Sequence, residues 1–191
     1  MKRALDMLAC ALFLGVFWPV LLAISLAIRL QSPGKAVFAQ ARVGRHGSIF
    51  TCYKLRTMYS GTANVPTHQV KPSAVTPIGE LLRRFKIDEL PQLWNVLLGE
   101  MSLVGPRPCL PSQTELVDAR RRLGVLAVRP GITGLAQVSG VDMSDPTRLA
   151  EVDAHYVRTQ SVLGDFRLVW ATLRGQGVGI DQVVRTSSKA L

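Results

Sequence analysis

The sequence predicts an α/β fold that is mostly helical, with a small β element, behind an N-terminal membrane helix. The run from Met7 to Ile28 has no charged residue and, as a helix, would be about 33 Å long, close to the thickness of a hydrocarbon core. Residues 48–55, SIFTCYKL, have the β-branched and aromatic content of a strand. Helices are predicted to begin at Thr76-Pro77, at Asp145-Pro146 and at Ser161.

Pro19 interrupts the apolar run near its middle, where it would remove a backbone hydrogen bond and favour a kink. A kinked segment could cross the membrane once, or it could enter and leave by the same face. Lys2 and Arg3 before the run and the basic residues after it favour the second arrangement, because basic flanks stay on the cytoplasmic side. Composition leaves both open, and a buried core helix is the less favoured third interpretation.

The net charge of +10 is unevenly distributed, since no Asp or Glu lies between Asp6 and Glu80. A basic surface of this kind favours phosphate-bearing partners, either nucleic acid or anionic lipid headgroups. The three cysteines are odd in number and far apart, which predicts neither a disulfide framework nor a metal site and favours a reducing compartment.

Asp88-Glu89, followed by Leu90-Pro91-Gln92, is the most informative motif. We expect a helix to begin here, with its positive dipole end and unpaired amides beside two carboxylates. A structural interpretation makes Asp88 an N-cap and Glu89 a solvated first-turn acid. A chemical one makes them a nucleophile and Mg²⁺ ligands, because a carboxylate can take up a phosphoryl group and Mg²⁺ commonly binds one or two carboxylates.

Two loops predicted from Pro and Gly could supply phosphate contacts. Arg107 stands between two prolines and would present a stiffly held guanidinium for bidentate contact with a phosphate. Arg129 opens the segment RPGITG, in which Gly131 and Gly134 could let backbone amides approach a diphosphate.

Other functional templates do not match. The chain has no Walker loop, no nucleophile-elbow serine and no histidine pair at metal-ligand spacing. Basic residues interleaved with aromatic ones, as in RNA-binding sheets, are not apparent, so we expect no nucleic acid as a partner.

The chain resembles the bacterial sugar transferases, specifically the small monotopic phosphoglycosyl transferases. The resemblance rests on KLRTM (54–58), DELPQLWNVLLGEMSLVGPRP (88–108) and RPGITGLAQVSG (129–140), and it covers nearly the whole chain. Lys86-Ile87 departs from the Thr-Ser that is common in this family directly before its acidic dyad, which is Asp88-Glu89 in this chain. GLAQVSGVDMSDP (134–146) hints at an N-acetylated deoxy-sugar donor.

The resemblance implies an enzyme that transfers a sugar-1-phosphate from a UDP-sugar to undecaprenyl phosphate and releases UMP. It implies Asp88 as the nucleophile, Glu89 as its partner, Mg²⁺ bound at this dyad, and Arg107 at a substrate phosphate. It makes Pro19 the break in a re-entrant helix over residues 1–30, before a catalytic domain over 31–175 and a C-terminal tail over 176–191. The enzyme would act at the cytoplasmic face of the bacterial inner membrane, with its lipids and downstream glycosyltransferases as candidate partners.

A rival hypothesis from another class is a membrane-anchored basic protein that binds nucleic acid or anionic lipid without catalysis. It accounts for the basic stretch and the apolar anchor. It gives no reason for adjacent carboxylates close to Arg83 and Arg84, or for an arginine between two prolines.

Overall fold

The computed structural model describes residues 1–61 and 74–175, so the tail predicted over 176–191 lies outside the described residues. Within them the helices are α1 (Lys2–Gln31), α2 (Pro77–Arg84), α3 (Gln92–Leu98), α4 (Thr114–Arg122), α5 (Leu135–Val138), α6 (Pro146–Thr159) and α7 (Val162–Leu173). The strands are β1 (Val37–Val43), β2 (Ile49–Leu55), β3 (Ser102–Val104) and β4 (Gly131–Thr133). They form two two-stranded sheets, β1 with β2 and β3 with β4, so a mostly helical α/β chain is confirmed.

Helix α1 is a continuous 30-residue helix that is long and apolar enough to cross a membrane. Its buried residues are Asp6, Cys10 and Ile28, while large apolar side chains such as Leu8 and Trp18 are exposed. This exposure argues against a soluble core helix, whose apolar side chains would be covered. Pro19 lies inside the helix without ending it, and the re-entrant bend stays a prediction.

The chain divides into two compact units. The first contains Arg3–Ala41 and Thr51–Gly99, and the second contains Arg42–Phe50, the described part of Glu100–Leu191, and Lys2. Strands β1 and β2 each pass from one unit to the other, and the sequence analysis did not anticipate this division.

In the first unit, a buried cluster of Ile28, Ala36, Leu55 and Leu82 joins the end of α1, the start of β1, the end of β2 and helix α2. Helix α2 begins as predicted: the Thr76 hydroxyl accepts a hydrogen bond from the Gly79 amide at 3.0 Å, and Pro77 occupies the first helical position.

In the second unit, β3 and β4 pair in parallel, with Ser102 opposite Gly131 and Val104 opposite Thr133. The prediction that both segments are loops is therefore wrong. Helices α4, α6 and α7 contribute to the core of this unit, which includes Leu116, Leu149 and Leu168. Helices α6 and α7 begin at the predicted caps, Asp145 and Ser161, whose side chains accept backbone hydrogen bonds.

Gly79→Ala should destabilise the protein although alanine favours a helix. A Cβ at position 79 would lie 2.1 Å from the Thr57 carbonyl oxygen and 2.7 Å from its carbonyl carbon, so backbone must move. We expect a loss of about 1–3 kcal/mol, as for other overpacked sites, measured as a lower thermal midpoint in detergent. Glu80→Ala adds alanine at the neighbouring exposed position and should change the midpoint little. Equal midpoints for Gly79→Ala and the parent protein would contradict the close approach.

Candidate active site

Asp88 lies in the short 3-10 turn Ile87–Glu89, between α2 and α3. The turn is closed by hydrogen bonds from the Glu89 amide to the Lys86 carbonyl and from the Leu90 amide to the Ile87 carbonyl. Helix α3 begins only at Gln92, after Pro91, and has no side-chain cap. The prediction that Asp88 caps this helix is therefore wrong. Lys86, just before the turn, adopts a left-handed backbone with φ of 56°, which is unusual for a residue other than glycine.

The two adjacent carboxylates have different environments. Glu89 is 9% exposed and accepts a hydrogen bond and ion pair from the Lys54 ammonium of β2 at 2.8 Å. Asp88 is only partly buried. A 3-10 helix turns about 120° per residue, so neighbouring side chains point in different directions. The turn therefore holds Glu89 against the partly buried cation of Lys54 and leaves Asp88 the more accessible carboxylate.

Asn95 of α3 connects this helix to the strand that carries Lys54. Its side chain is fully buried, accepts a hydrogen bond from the Tyr53 amide at 3.1 Å and donates one to the Thr51 carbonyl at 2.7 Å. The carboxamide thus replaces a missing strand neighbour of β2. The turn Ile87–Glu89, called the dyad turn below, lies two residues before α3. The contacts of Asn95 therefore help to keep Glu89 beside Lys54.

The donor set of this turn fits Mg²⁺, which is commonly held by one or two carboxylates together with substrate phosphate oxygens. Within the described residues, no group of three His, Cys, Asp or Glu side chains is close enough to form a metal cage. Gln92 adds a second feature, since it is 2% exposed and its buried amide nitrogen has no hydrogen-bond partner among the described residues. A buried unpaired donor is costly, and an oxygen of a bound phosphate could satisfy it.

Arg107 belongs to the second unit, on a segment whose backbone is held at four consecutive carbonyls. The Pro106 carbonyl accepts from the Gly131 amide at 2.9 Å, and the Cys109 carbonyl accepts from the Val43 amide at 2.9 Å. Between them, the Arg107 carbonyl accepts from Arg120 at 2.8 Å and the Pro108 carbonyl accepts from Arg42 at 3.0 Å. The path of the backbone is thereby fixed, and the partly buried Arg107 side chain extends from a rigid support.

Arg120 and Asp153 form a buried ion pair behind this support. The guanidinium donates two hydrogen bonds, from Nε at 3.0 Å and from Nη2 at 2.6 Å, to one carboxylate oxygen of Asp153. Both side chains are 3% exposed. Burial raises the pKa of Asp153, and the guanidinium opposes that rise. Burial likewise raises the pKa of the Cys109 thiol, which keeps it protonated and argues against it as a nucleophile.

Gly131 and Gly134 have a structural role that the sequence analysis did not consider. A Cβ at Gly131 would lie 2.0 Å from the Gly105 nitrogen, and one at Gly134 would lie 2.2 Å from the Gly105 carbonyl oxygen. These glycines therefore let two backbone segments touch. Since the Gly131 amide already donates to Pro106, its assignment to a substrate diphosphate stays an untested prediction.

The predicted site residues form two groups. Asp88 and Glu89 lie in the first unit, whereas Arg107, the partly buried Arg129, Gly131 and Gly134 lie together around β3 and β4 in the second. The supporting residues Asn95, Arg120 and Asp153 were missed, as was the pairing of Lys54 with Glu89. Their only signal in the sequence is a polar residue at a helical position that otherwise faces the core.

Residues 1–176 match the bacterial sugar transferase family. The chain belongs to this family. It is 43% identical over 182 residues to a UDP-glucose:undecaprenyl-phosphate glucose-1-phosphate transferase of Caulobacter vibrioides, an alignment that covers 90% of this chain and 68% of the relative. It is 37% identical to the exopolysaccharide production protein ExoY of Sinorhizobium fredii, covering 90% of this chain and 83% of the relative.

A third relative acts on a different sugar. It is a UDP-N-acetylgalactosamine-undecaprenyl-phosphate N-acetylgalactosaminephosphotransferase of Aeromonas hydrophila, 38% identical over 91% of this chain and 43% of the relative. The predictions of family and of a transferase are confirmed at this level. Family membership and the exposed apolar helix α1 together indicate a membrane-associated protein.

Arg120→Met should destabilise the protein most at neutral and alkaline pH. The change leaves Asp153 buried without its cation, a loss of about 3–5 kcal/mol for a broken buried pair. It also removes the charge that opposes the raised pKa of Asp153. Because the folded state then binds the proton more tightly than the unfolded state, stability falls as pH rises above about 4. The deficit in thermal midpoint against the parent protein should therefore shrink between pH 8 and pH 5.5.

The control is the double variant Arg120→Met/Asp153→Asn, which carries no buried charge at this position. It should recover part of the lost stability, and its midpoint difference from the parent should vary less with pH. If the thermal midpoint of Arg120→Met lies below that of the parent by the same amount at every pH, packing rather than the unpaired carboxylate causes the loss of stability.

Proposed function

We propose that this protein transfers a sugar-1-phosphate from a UDP-sugar to undecaprenyl phosphate, with release of UMP, through a covalent intermediate on Asp88. The observation that carries the proposal is the contrast within the dyad. Glu89 is buried against Lys54, and Asp88 is the more accessible carboxylate beside it. The relatives in Caulobacter vibrioides and Aeromonas hydrophila, which are named for UDP-sugars and undecaprenyl phosphate, support both substrate classes.

In the first step, an Asp88 carboxylate oxygen attacks the β-phosphorus of the UDP-sugar. The bond from this phosphorus to the oxygen that bridges the two phosphates breaks, and UMP leaves with that oxygen. The product is an acyl phosphate that carries the sugar. A nucleophilic carboxylate splits one difficult displacement into two easier ones.

Glu89, held by Lys54, does not compete as the nucleophile, because burial and the ion pair fix its carboxylate. Arg107 is suited to neutralising phosphate charge, since a guanidinium binds phosphate oxygens in a planar, bidentate way. Gln92, with its unpaired buried amide, is a candidate donor to a phosphate oxygen. Asp88 and Glu89 would hold Mg²⁺, which supplies charge neutralisation to the phosphates when bound.

In the second step, an oxygen of the acceptor phosphate attacks the same phosphorus. The bond between phosphorus and the Asp88 oxygen breaks, which regenerates the carboxylate and gives a polyprenyl diphosphate sugar. The acceptor tail remains in lipid, and this places the reaction at a membrane surface. Basic residues on both flanks of α1 support a re-entrant helix with both ends on the cytoplasmic face of the inner membrane.

Asp88→Asn should abolish UMP release and leave membrane association unchanged. An amide cannot form the acyl phosphate, and the substitution hardly alters size. The measurement is UMP release from UDP-glucose, UDP-N-acetylgalactosamine and an N-acetylated UDP-deoxy-sugar, with undecaprenyl phosphate in detergent and Mg²⁺. A donor labelled at the β-phosphate should label the parent protein and fail to label the variant.

Asp118→Asn is the matched control, because Asp118 is an exposed aspartate of α4 paired with Arg121. It should retain the activity of the parent protein. Turnover by Asp88→Asn comparable to the parent would exclude Asp88 as the nucleophile. If Asp88→Asn loses turnover but the labelled donor never labels the parent protein, the result would argue for direct transfer in one step.

A further inference from the structure

A cavity of about 630 Å³ opens between the last turns of α1 and the start of β1. All the residues that line it belong to the first unit. They are Ser25, Arg29, Gly34, Lys35, Ala36 and Val37. The loop on one side is held in place, because Arg56 donates hydrogen bonds to the carbonyls of Ser32 and Pro33. The cavity is therefore supported by a fixed backbone.

Among the described residues that line it, the cavity carries two positive charges and no negative one. Arg29 and Lys35 are both exposed, and neither forms an ion pair with residues 1–61 and 74–175. Asp and Glu are absent from the sequence between Asp6 and Glu80. The cavity is thus complementary to an anion, and two adjacent cations suit a phosphate better than a singly charged group.

An apolar surface runs along α1 beside the cavity. Leu22, Leu26 and Leu30 are 57%, 59% and 80% exposed and follow one another at four-residue spacing. Ser25 and Arg29 form the neighbouring row of the same helix, since residues four apart lie on one face. A ligand with a phosphate head and a hydrocarbon tail matches this arrangement, with the head at Arg29 and Lys35 and the tail along the leucines.

The cavity and the dyad turn share one apolar cluster. Ala36, which lines the cavity, is buried together with Ile28, Leu55 and Leu82, and Ile87 packs against the same cluster. Ile87 directly precedes Asp88. A lipid phosphate at the cavity would therefore bind on the same unit as the proposed nucleophile.

We infer that Arg29 and Lys35 bind the phosphate of the lipid acceptor. The inference rests on the proposed function and adds to it the residues that select the second substrate. A polyprenyl phosphate is a monoester with a second ionisation near neutral pH, so it carries up to two charges, whereas ordinary phosphodiester headgroups such as phosphatidylglycerol carry one. Two cations at one site match the monoester.

The test compares the full chain with Arg29→Gln, Lys35→Gln and the double variant in neutral-lipid nanodiscs. Binding of a fluorescent short-chain polyprenyl phosphate is measured directly, without donor. Each substitution should weaken binding about fivefold and both together about 30-fold, as expected for cations near a membrane surface. Arg122→Gln, an exposed position on α4, removes the same charge and should leave binding unchanged.

Two further measurements separate the possible results. UMP release without acceptor should be the same in the double variant and the parent, because donor chemistry precedes acceptor binding. Co-sedimentation with phosphatidylglycerol vesicles should also be similar for both. Equal binding of polyprenyl phosphate by both proteins, or a 30-fold loss of phosphatidylglycerol binding as well, would overturn the assignment. If the parent releases no UMP, the proposed function fails, while the binding comparison still decides the cavity.

Discussion

The constraint on which the second unit depends is the hydrogen bonding of four consecutive carbonyls, from Pro106 to Cys109. Two of the donors are backbone amides and two are guanidinium groups, one of which is buried with Asp153. A segment with two prolines has few amides of its own with which to join a sheet. Its carbonyls must therefore be satisfied from outside, and this requirement explains why arginines surround it. The rigid support of Arg107, which the proposed phosphate contact would need, follows from the same contacts.

In the first unit, the position of the dyad turn depends on one carboxamide, that of Asn95, and one ammonium, that of Lys54. Asn95 pairs with the backbone of β2, and Lys54 of the same strand pairs with Glu89. Strand β2 therefore positions the dyad turn through two contacts, one with helix α3 and one with Glu89. Adjacent side chains in such a turn point in different directions, so Glu89 pairs with the partly buried Lys54 and Asp88 is the more accessible carboxylate. The different chemical roles proposed for the two carboxylates would thus follow from backbone geometry.

Features encoded by local interactions were predictable from the sequence. Thr76, Asp145 and Ser161 act as caps because the cap and its amide partner are three residues apart. Strands β3 and β4 were not predictable, because each has only three residues. Gly105-Pro106 follows β3, β4 lies between Pro130 and Gly134, and the pairing joins Ser102 to the distant Gly131. Asp88 failed as a predicted cap because the turn and Pro91 intervene before α3. The dyad is recognisable from its residues, whereas the pairing of Glu89 with Lys54 depends on tertiary packing.

A covalent intermediate has a physical advantage when one substrate is water-soluble and the other is confined to lipid. If both reacted in one step, a site at the headgroup level would have to hold a nucleotide diphosphate and a lipid phosphate together, with several negative charges in close contact. In the proposed mechanism, storing the phospho-sugar on Asp88 would let UMP leave before the acceptor phosphate approaches. The cations near each substrate would then act in turn, so the acceptor site proposed at the end of α1 would serve the second step without weakening the first.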